Sequence, residues 1–102
     1  SKVAEVGPIR VVVVTDRSGP VTLAIPPHEV LVSHESLHSS ARNEFSGPVV
    51  RISEHNGDMV TLTVDVGVDL TARITRSAMR ELDIHVGTQV VLTVKALAVQ
   101  VF

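Results

Sequence analysis

The chain has 102 residues, a formal net charge of −2, no Cys, Trp or Tyr, and two Phe. That length allows one domain, or one domain with an accessory segment, and one modest core with little left for an elaborate catalytic cleft. Without cysteine there are no disulfides or thiolate metal sites; the slight negative charge gives no electrostatic reason to expect nucleic acid or a membrane surface, and no stretch approaches a membrane-spanning helix.

The apolar runs are short, valine-rich and punctuated by turn residues, which predicts strands. Residues 9–15, IRVVVVT, read as a buried strand, and 16–20, DRSGP, as a turn. Residues 21–25 are a second strand, ended by Pro26 and Pro27, which cannot continue a ladder. Residues 29–33 are a short third strand, and 36–43 are small and polar, a linker or a site loop. Residues 47–52 open a second set of strands, with Pro48 near an edge, and Asn56-Gly57-Asp58 signals a tight turn. Residues 59–66 alternate, with Val60, Leu62 and Val64 on one face and Thr61, Thr63 and Asp65 on the other. Gly67 breaks the pattern and 69–74 resume it. Residues 75–82 are the strongest helical stretch: Thr75 is the N-cap, Ile74, Ala78 and Leu82 share a face, and the helix stops before Gly87. Residues 89–94 and 98–102 are final strands, joined through Lys95-Ala96-Leu97. The expected architecture is all-β, a small closed or partly closed barrel of OB type with one short helix.

Two motifs compete within residues 34–43, HESLHSSARN. HESLH satisfies H-E-x-x-H, in which two His on one face of a regular helix bind zinc and the Glu acts as general base. Its surroundings are strand-like before and loop-like after, and the expected third ligand is missing, so it reads as a solvated polar loop and no zinc is expected. His28, His55 and His85 read as surface residues. Asp65 and Asp69 flank a turn, and the glycines form no phosphate loop. The second half of the stretch joins a set of anion donors. Ser40 and Arg42 lie in the loop, Thr75 and Ser77 lie at a helix N-terminus whose N–H groups favour an anion, and Lys95 interrupts an apolar run. A tetrahedral oxyanion needs donors from several directions and no competing carboxylate. Each piece also has an ordinary role: Thr75 as a cap, Lys95 as a snorkelling side chain, Arg42 as a solvated one.

Ser39-Ser40-Ala41-Arg42-Asn43, then Ile74-Thr75 before a short helix ending Glu81-Leu82-Asp83-Ile84, then Lys95-Ala96, together resemble the molybdenum-binding Mop, or TOBE, domain. The resemblance spans about residues 39–102. It implies an OB-like barrel that oligomerises, at least to a dimer, and binds molybdate or tungstate where modules meet. Carried over position by position, it implies that Ser40 and Arg42 of one module face Thr75 and Lys95 of another. A second family hydroxyl falls on Ala78, which offers a backbone N–H, with Ser77 one place earlier.

Residues 21–33, VTLAIPPHEVLVS, are similar to the segment preceding this domain in the ATPase subunits of molybdate importers. That divides the chain into accessory strands at 1–38 and an oxyanion-binding barrel at 39–102. It implies a non-catalytic regulatory domain of an ABC-type molybdate or tungstate import system. Its partners would be transporter subunits, and its place the cytoplasm or the inner face of the membrane without insertion. Any ATPase activity would belong to a nucleotide-binding domain outside these residues. A free molbindin-like protein that stores or buffers molybdate is the alternative within the family. An OB-fold nucleic-acid binder is the alternative of another class, but it needs aromatic platforms and a basic groove, which Phe45, Phe102 and the net charge do not supply.

Overall fold

The computed structural model describes residues 2–55 and 57–102. Among the described residues the elements are β1 (Lys2–Val6), β2 (Ile9–Val13), β3 (Leu23–Ala24), β4 (Leu31–Ser33), β5 (Asn43–Glu54), β6 (Met59–Asp65), β7 (Asp69–Thr75), α1 (Arg76–Glu81), β8 (Gln89–Val94) and β9 (Gln100–Val101). Short 3-10 turns occupy Pro27–Glu29 and Ala96–Ala98. Five strands form one antiparallel sheet in the order β4-β8-β5-β6-β7.

β5 organises this sheet because its 12 residues are long enough to pair twice. Its first half runs along β8, with Asn43 opposite Val94 and Pro48 opposite Gln89. Its second half runs along β6, from Arg51 opposite Thr63 to Glu54 opposite Val60, after a register shift between Val49 and Arg51. Such a bulge bends a strand and raises its twist. Gly47 makes the crossing possible, since a Cβ there would lie 1.9 Å from the Asp65 carbonyl oxygen. The bend curls the sheet until β4 and the Pro27–Glu29 turn lie against β7, giving a partly closed OB-like barrel.

The core is aliphatic, as the composition requires. Val60, Leu62 and Val64 are fully buried on the inner face of β6, as their alternation predicts. Leu92 and Val94 of β8 and Ala72 of β7 meet them, with Phe45 as the single buried aromatic. Each fully buried Val or Leu contributes about 1.5–3 kcal/mol, so a chain this small holds together without a larger aromatic core. Val11, Val13 and Val30 join the same cluster, so the segment before residue 39 shares the core of the barrel.

That segment departs from expectation in its details. A hairpin of β1 and β2 replaces the lone strand at 9–15, because Lys2–Val6 pairs with Ile9–Val13 around Gly7 and Pro8. The strand expected at 21–25 shrinks to Leu23–Ala24, paired with β9. The strand expected at 29–33 begins as a 3-10 turn, with the Glu29 N–H bonded to the Pro26 carbonyl at 3.0 Å, and becomes β4 only at Leu31. At the other end, residues 96–98 coil, leaving Gln100–Val101 as the last strand. Of the expected Asn56-Gly57-Asp58 turn, Asn56 lies outside the described residues.

The hairpin is held at both ends. Its tip lies on the β6–β7 turn, where a Cβ on Gly67, whose φ is +108°, would come 2.8 Å from the Pro8 ring. Its base is tied to the barrel by Asn43, which is 2% exposed. The Asn43 Oδ1 accepts from the Val12 N–H at 2.7 Å, and its Nδ2 donates to the Val12 carbonyl at 2.9 Å.

α1 begins as expected, with the Ala78 N–H donating to the Thr75 hydroxyl at 3.0 Å. It also stops before Gly87 as expected, in a Schellman-type cap. The Ile84 N–H reaches the Met79 carbonyl and the Asp83 N–H the Arg80 carbonyl, both at 3.0 Å, with Asp83 at φ +52° where glycine is usual. The helix packs on the core through Met79 and Leu82, one turn apart, rather than through Ala78.

Candidate functional site

The zinc-helix pattern is not realised. Residues 34–42 contain no helix, and among the described residues no group of three or more His, Asp or Glu is placed to hold a metal ion. His34 donates from Nε2 to the Leu82 carbonyl at 2.5 Å, at the C-terminal end of α1, and His38 sits at φ +49°. The remaining histidines are surface residues, as expected: His28 lies 3.8 Å from Glu29, His55 bonds the Thr61 hydroxyl and His85 bonds Asp83.

HESLH instead leads into a tethered loop. The Ser36 hydroxyl donates to both carboxylate oxygens of Glu44, at 2.7 and 2.9 Å, and the Leu37 N–H donates to the same side chain. Glu44 belongs to β5, so these bonds fold the loop back onto the strand that follows it. The Ala41 N–H then donates to the Ser39 hydroxyl at 3.2 Å, a local turn that sets out Ser40 and Arg42.

Lys95 arrives at the same place from the other end of the sequence. It follows β8, whose Val94 is opposite Asn43, so the residue after one strand and the residue before the other are neighbours. Ser40, Arg42 and Lys95 line one open groove with Val14, Ala96 and Leu97. No carboxylate lines it. Among the described residues neither Arg42 nor Lys95 enters a salt bridge, while Arg10 and Arg76 both do. Two cations beside a hydroxyl and without a counter-ion suit an anion. On its other side the Ser40–Lys95 ridge borders a second groove, lined by Ser39, Ala41, Thr93, Leu31, His28 and Glu29.

The structure divides the expected donors into two groups. Ser40, Arg42 and Lys95 come together within one chain, so Lys95 lies beside Arg42 of its own module. Thr75, Ser77 and Ala78 start α1 and line neither groove. The Ala78 N–H is already taken by Thr75, so it is not a ready donor. Sequence reasoning missed the apolar rim of Val14 and Leu97, which are 52% and 80% exposed. It also missed Thr93. An apolar residue in an apolar run gives no signal of exposure.

Fold and groove together define a small β-barrel binding module that offers a cationic, hydroxyl-lined surface. The TOBE domain family matches residues 39–101, more than half of the chain, and the chain belongs to this family. Over 101 residues it is 33% identical to the molybdate/tungstate import ATP-binding protein WtpC of Pyrococcus abyssi (strain GE5 / Orsay). It is 36% identical over 102 residues to the WtpC of Pyrococcus horikoshii (strain OT-3). These matches cover 98% and 99% of the chain but only 29% of each relative. Among solved structures, the molybdate-bound cytoplasmic molybdate-binding protein ModG superposes with a TM-score of 0.72 at 25% identity, covering 79% of this chain and 60% of that one. Among the described residues no helix is long and apolar enough to cross a membrane.

Proposed function

We propose that the chain is a non-catalytic regulatory module that binds molybdate or tungstate for an ABC-type import system, on its cytoplasmic side. One observation carries this reading: Arg42 and Lys95 stand without counter-ions beside Ser40 in a groove that no carboxylate lines. Planar guanidinium, point-charge ammonium and hydroxyl donors together surround a tetrahedral oxyanion from several directions. The relatives' names support the choice of anion, and the family supports a binding role for these residues.

A single chain leaves the groove open, with apolar Val14 and Leu97 at its edge and Leu31 beside the second groove, 58% exposed. Exposed aliphatics around a charged site favour coverage by a second copy. In that arrangement Thr75 and Ser77 of the covering copy complete the donor set. Ligand and association are then linked, so abundant anion favours one arrangement of paired modules and signals to the transporter subunits. Likeness to ModG also supports a second reading, in which the same chemistry serves storage of molybdate by a free oligomer.

Calorimetric titration of the chain with sodium molybdate and sodium tungstate tests the proposal. Saturable binding of either anion is expected; heats no different from dilution, with no retained anion, would remove it.

A further inference from the structure

Thr93 is 1% exposed, and its hydroxyl oxygen is buried without a hydrogen-bond partner. Among the described residues it is the one buried side-chain polar atom left in that state. A hydroxyl so placed gives up its bonds to water and gains none in return. After Gln89, β8 otherwise reads Val90, Val91, Leu92 and Val94, and valine has nearly the shape of threonine, so packing alone would favour Val here.

The register shows where the hydroxyl lies. Leu92 and Val94 are in the core, so Thr93 is on the outer face of the sheet, between Leu31 of β4 and Glu44 of β5. Lys95 is two residues further on the same side. The Ser36–Arg42 loop folds over this face and turns it into the second groove, whose wall is Thr93, Leu31, Ser39, Ser40, Ala41 and Lys95 together with His28 and Glu29, the one carboxylate there, which lies 3.8 Å from the His28 ring. Glu44, opposite Thr93 in the register, turns its carboxylate to the Ser36 hydroxyl and the Leu37 N–H, and makes no hydrogen bond to the Thr93 hydroxyl.

We infer that Thr93 is a further ligand-binding residue of the oxyanion site, its hydroxyl forming the floor of the second groove beneath an anion seated on the Ser40–Lys95 ridge that the two grooves share. The inference rests on the oxyanion reading and deepens it. A threonine hydroxyl both donates and accepts, an ammonium only donates and an oxyanion only accepts. Beside Lys95 and beneath the anion, the hydroxyl uses both capacities. Access requires the Ser39–Ala41 turn to move outward, and the hydrogen bond of that turn, from the Ala41 N–H to the Ser39 hydroxyl, lies within it.

The test compares wild type, T93V, T93S and T93A by calorimetric titration with sodium molybdate and by thermal unfolding without ligand. In T93V, molybdate affinity is expected to fall by roughly tenfold or more, as for a lost bond to a charged group. Its unliganded Tm should be equal to or above that of wild type, since a buried unpaired oxygen is replaced by a methyl group. T93S should keep affinity close to wild type. T93V binding molybdate as tightly as wild type would overturn the inference while leaving the oxyanion site standing. So would an affinity loss matched by a fall in Tm across T93V and T93A, which marks a packing role. Failure of the wild-type chain to bind molybdate or tungstate would instead remove the site itself.

Discussion

Asn43 holds Val12 as one strand holds another: its side-chain amide makes both hydrogen bonds of a peptide group, at 2.7 and 2.9 Å, to the Val12 backbone. It fastens the β1–β2 hairpin to the start of β5, one residue after Arg42. The last letter of SSARN is therefore a structural tie, and the anion donors precede it.

Replacing Asn43 with Ala leaves the Val12 N–H and carbonyl without partners in a part-buried place. The expected cost is about 2–3 kcal/mol, or about 10 °C or more in Tm for a chain of this size. Thermal unfolding checks the loss. Hydrogen exchange should show β2 opening ahead of β6; uniform exchange across both strands would mean that the hairpin is held by other contacts.

Gly47 should tolerate no side chain. A Cβ at that position meets the Asp65 carbonyl, which belongs to the backbone and cannot swing away. G47A is expected to lose about 2 kcal/mol or more, whereas G57A, where a Cβ meets open space and the cost is that of the φ of +87° alone, should lose less. Chemical denaturation of the two variants compares them, and equal midpoints would contradict the crossing of β5 over β6.

The H-E-x-x-H match should bind no zinc. His34 is turned to the Leu82 carbonyl and the segment contains no helix. Elemental analysis after dialysis against zinc should find no stoichiometric metal, and H38A should not change what little is retained. One tightly held zinc per chain, lost in H38A, would restore the metal reading.

Association should respond to the anion. If a second copy closes the groove over Val14 and Leu97, molybdate will shift the sedimentation distribution toward the larger species. L97E, a charge on a residue 80% exposed, should reduce that shift without unfolding the chain. A single species of unchanged mass with and without molybdate would show that one chain completes its own site.

Much of the barrel is legible in the sequence, because alternation and turn chemistry are local. Val60, Leu62 and Val64 face inward and β8 covers residues 89–94, as the pattern predicts. Thr75 caps α1 for the same reason. What escapes depends on distant partners. β1 is short and exposed, and it pairs only because β2 is beside it. The Gly47 crossing needs Asp65, and the loop tether needs Glu44. The donor group is only half legible. Ser40, Arg42 and Lys95 are readable as donors, but their meeting follows from Asn43 pairing with Val94. Thr93 passes for an ordinary strand residue until its burial is known.

Equilibrium dialysis of wild type and K95A against sodium molybdate tests whether Arg42 and Lys95 with Ser40 hold an oxyanion. Bound molybdenum in the wild type is expected to saturate at a fixed ratio to chain. K95A should need roughly tenfold or more molybdate to reach the same occupancy, with an unchanged Tm because Lys95 is exposed and enters no salt bridge among the described residues. A wild type that retains no molybdenum, or a folded K95A that saturates along the wild-type curve, would contradict an oxyanion site at Ser40, Arg42 and Lys95.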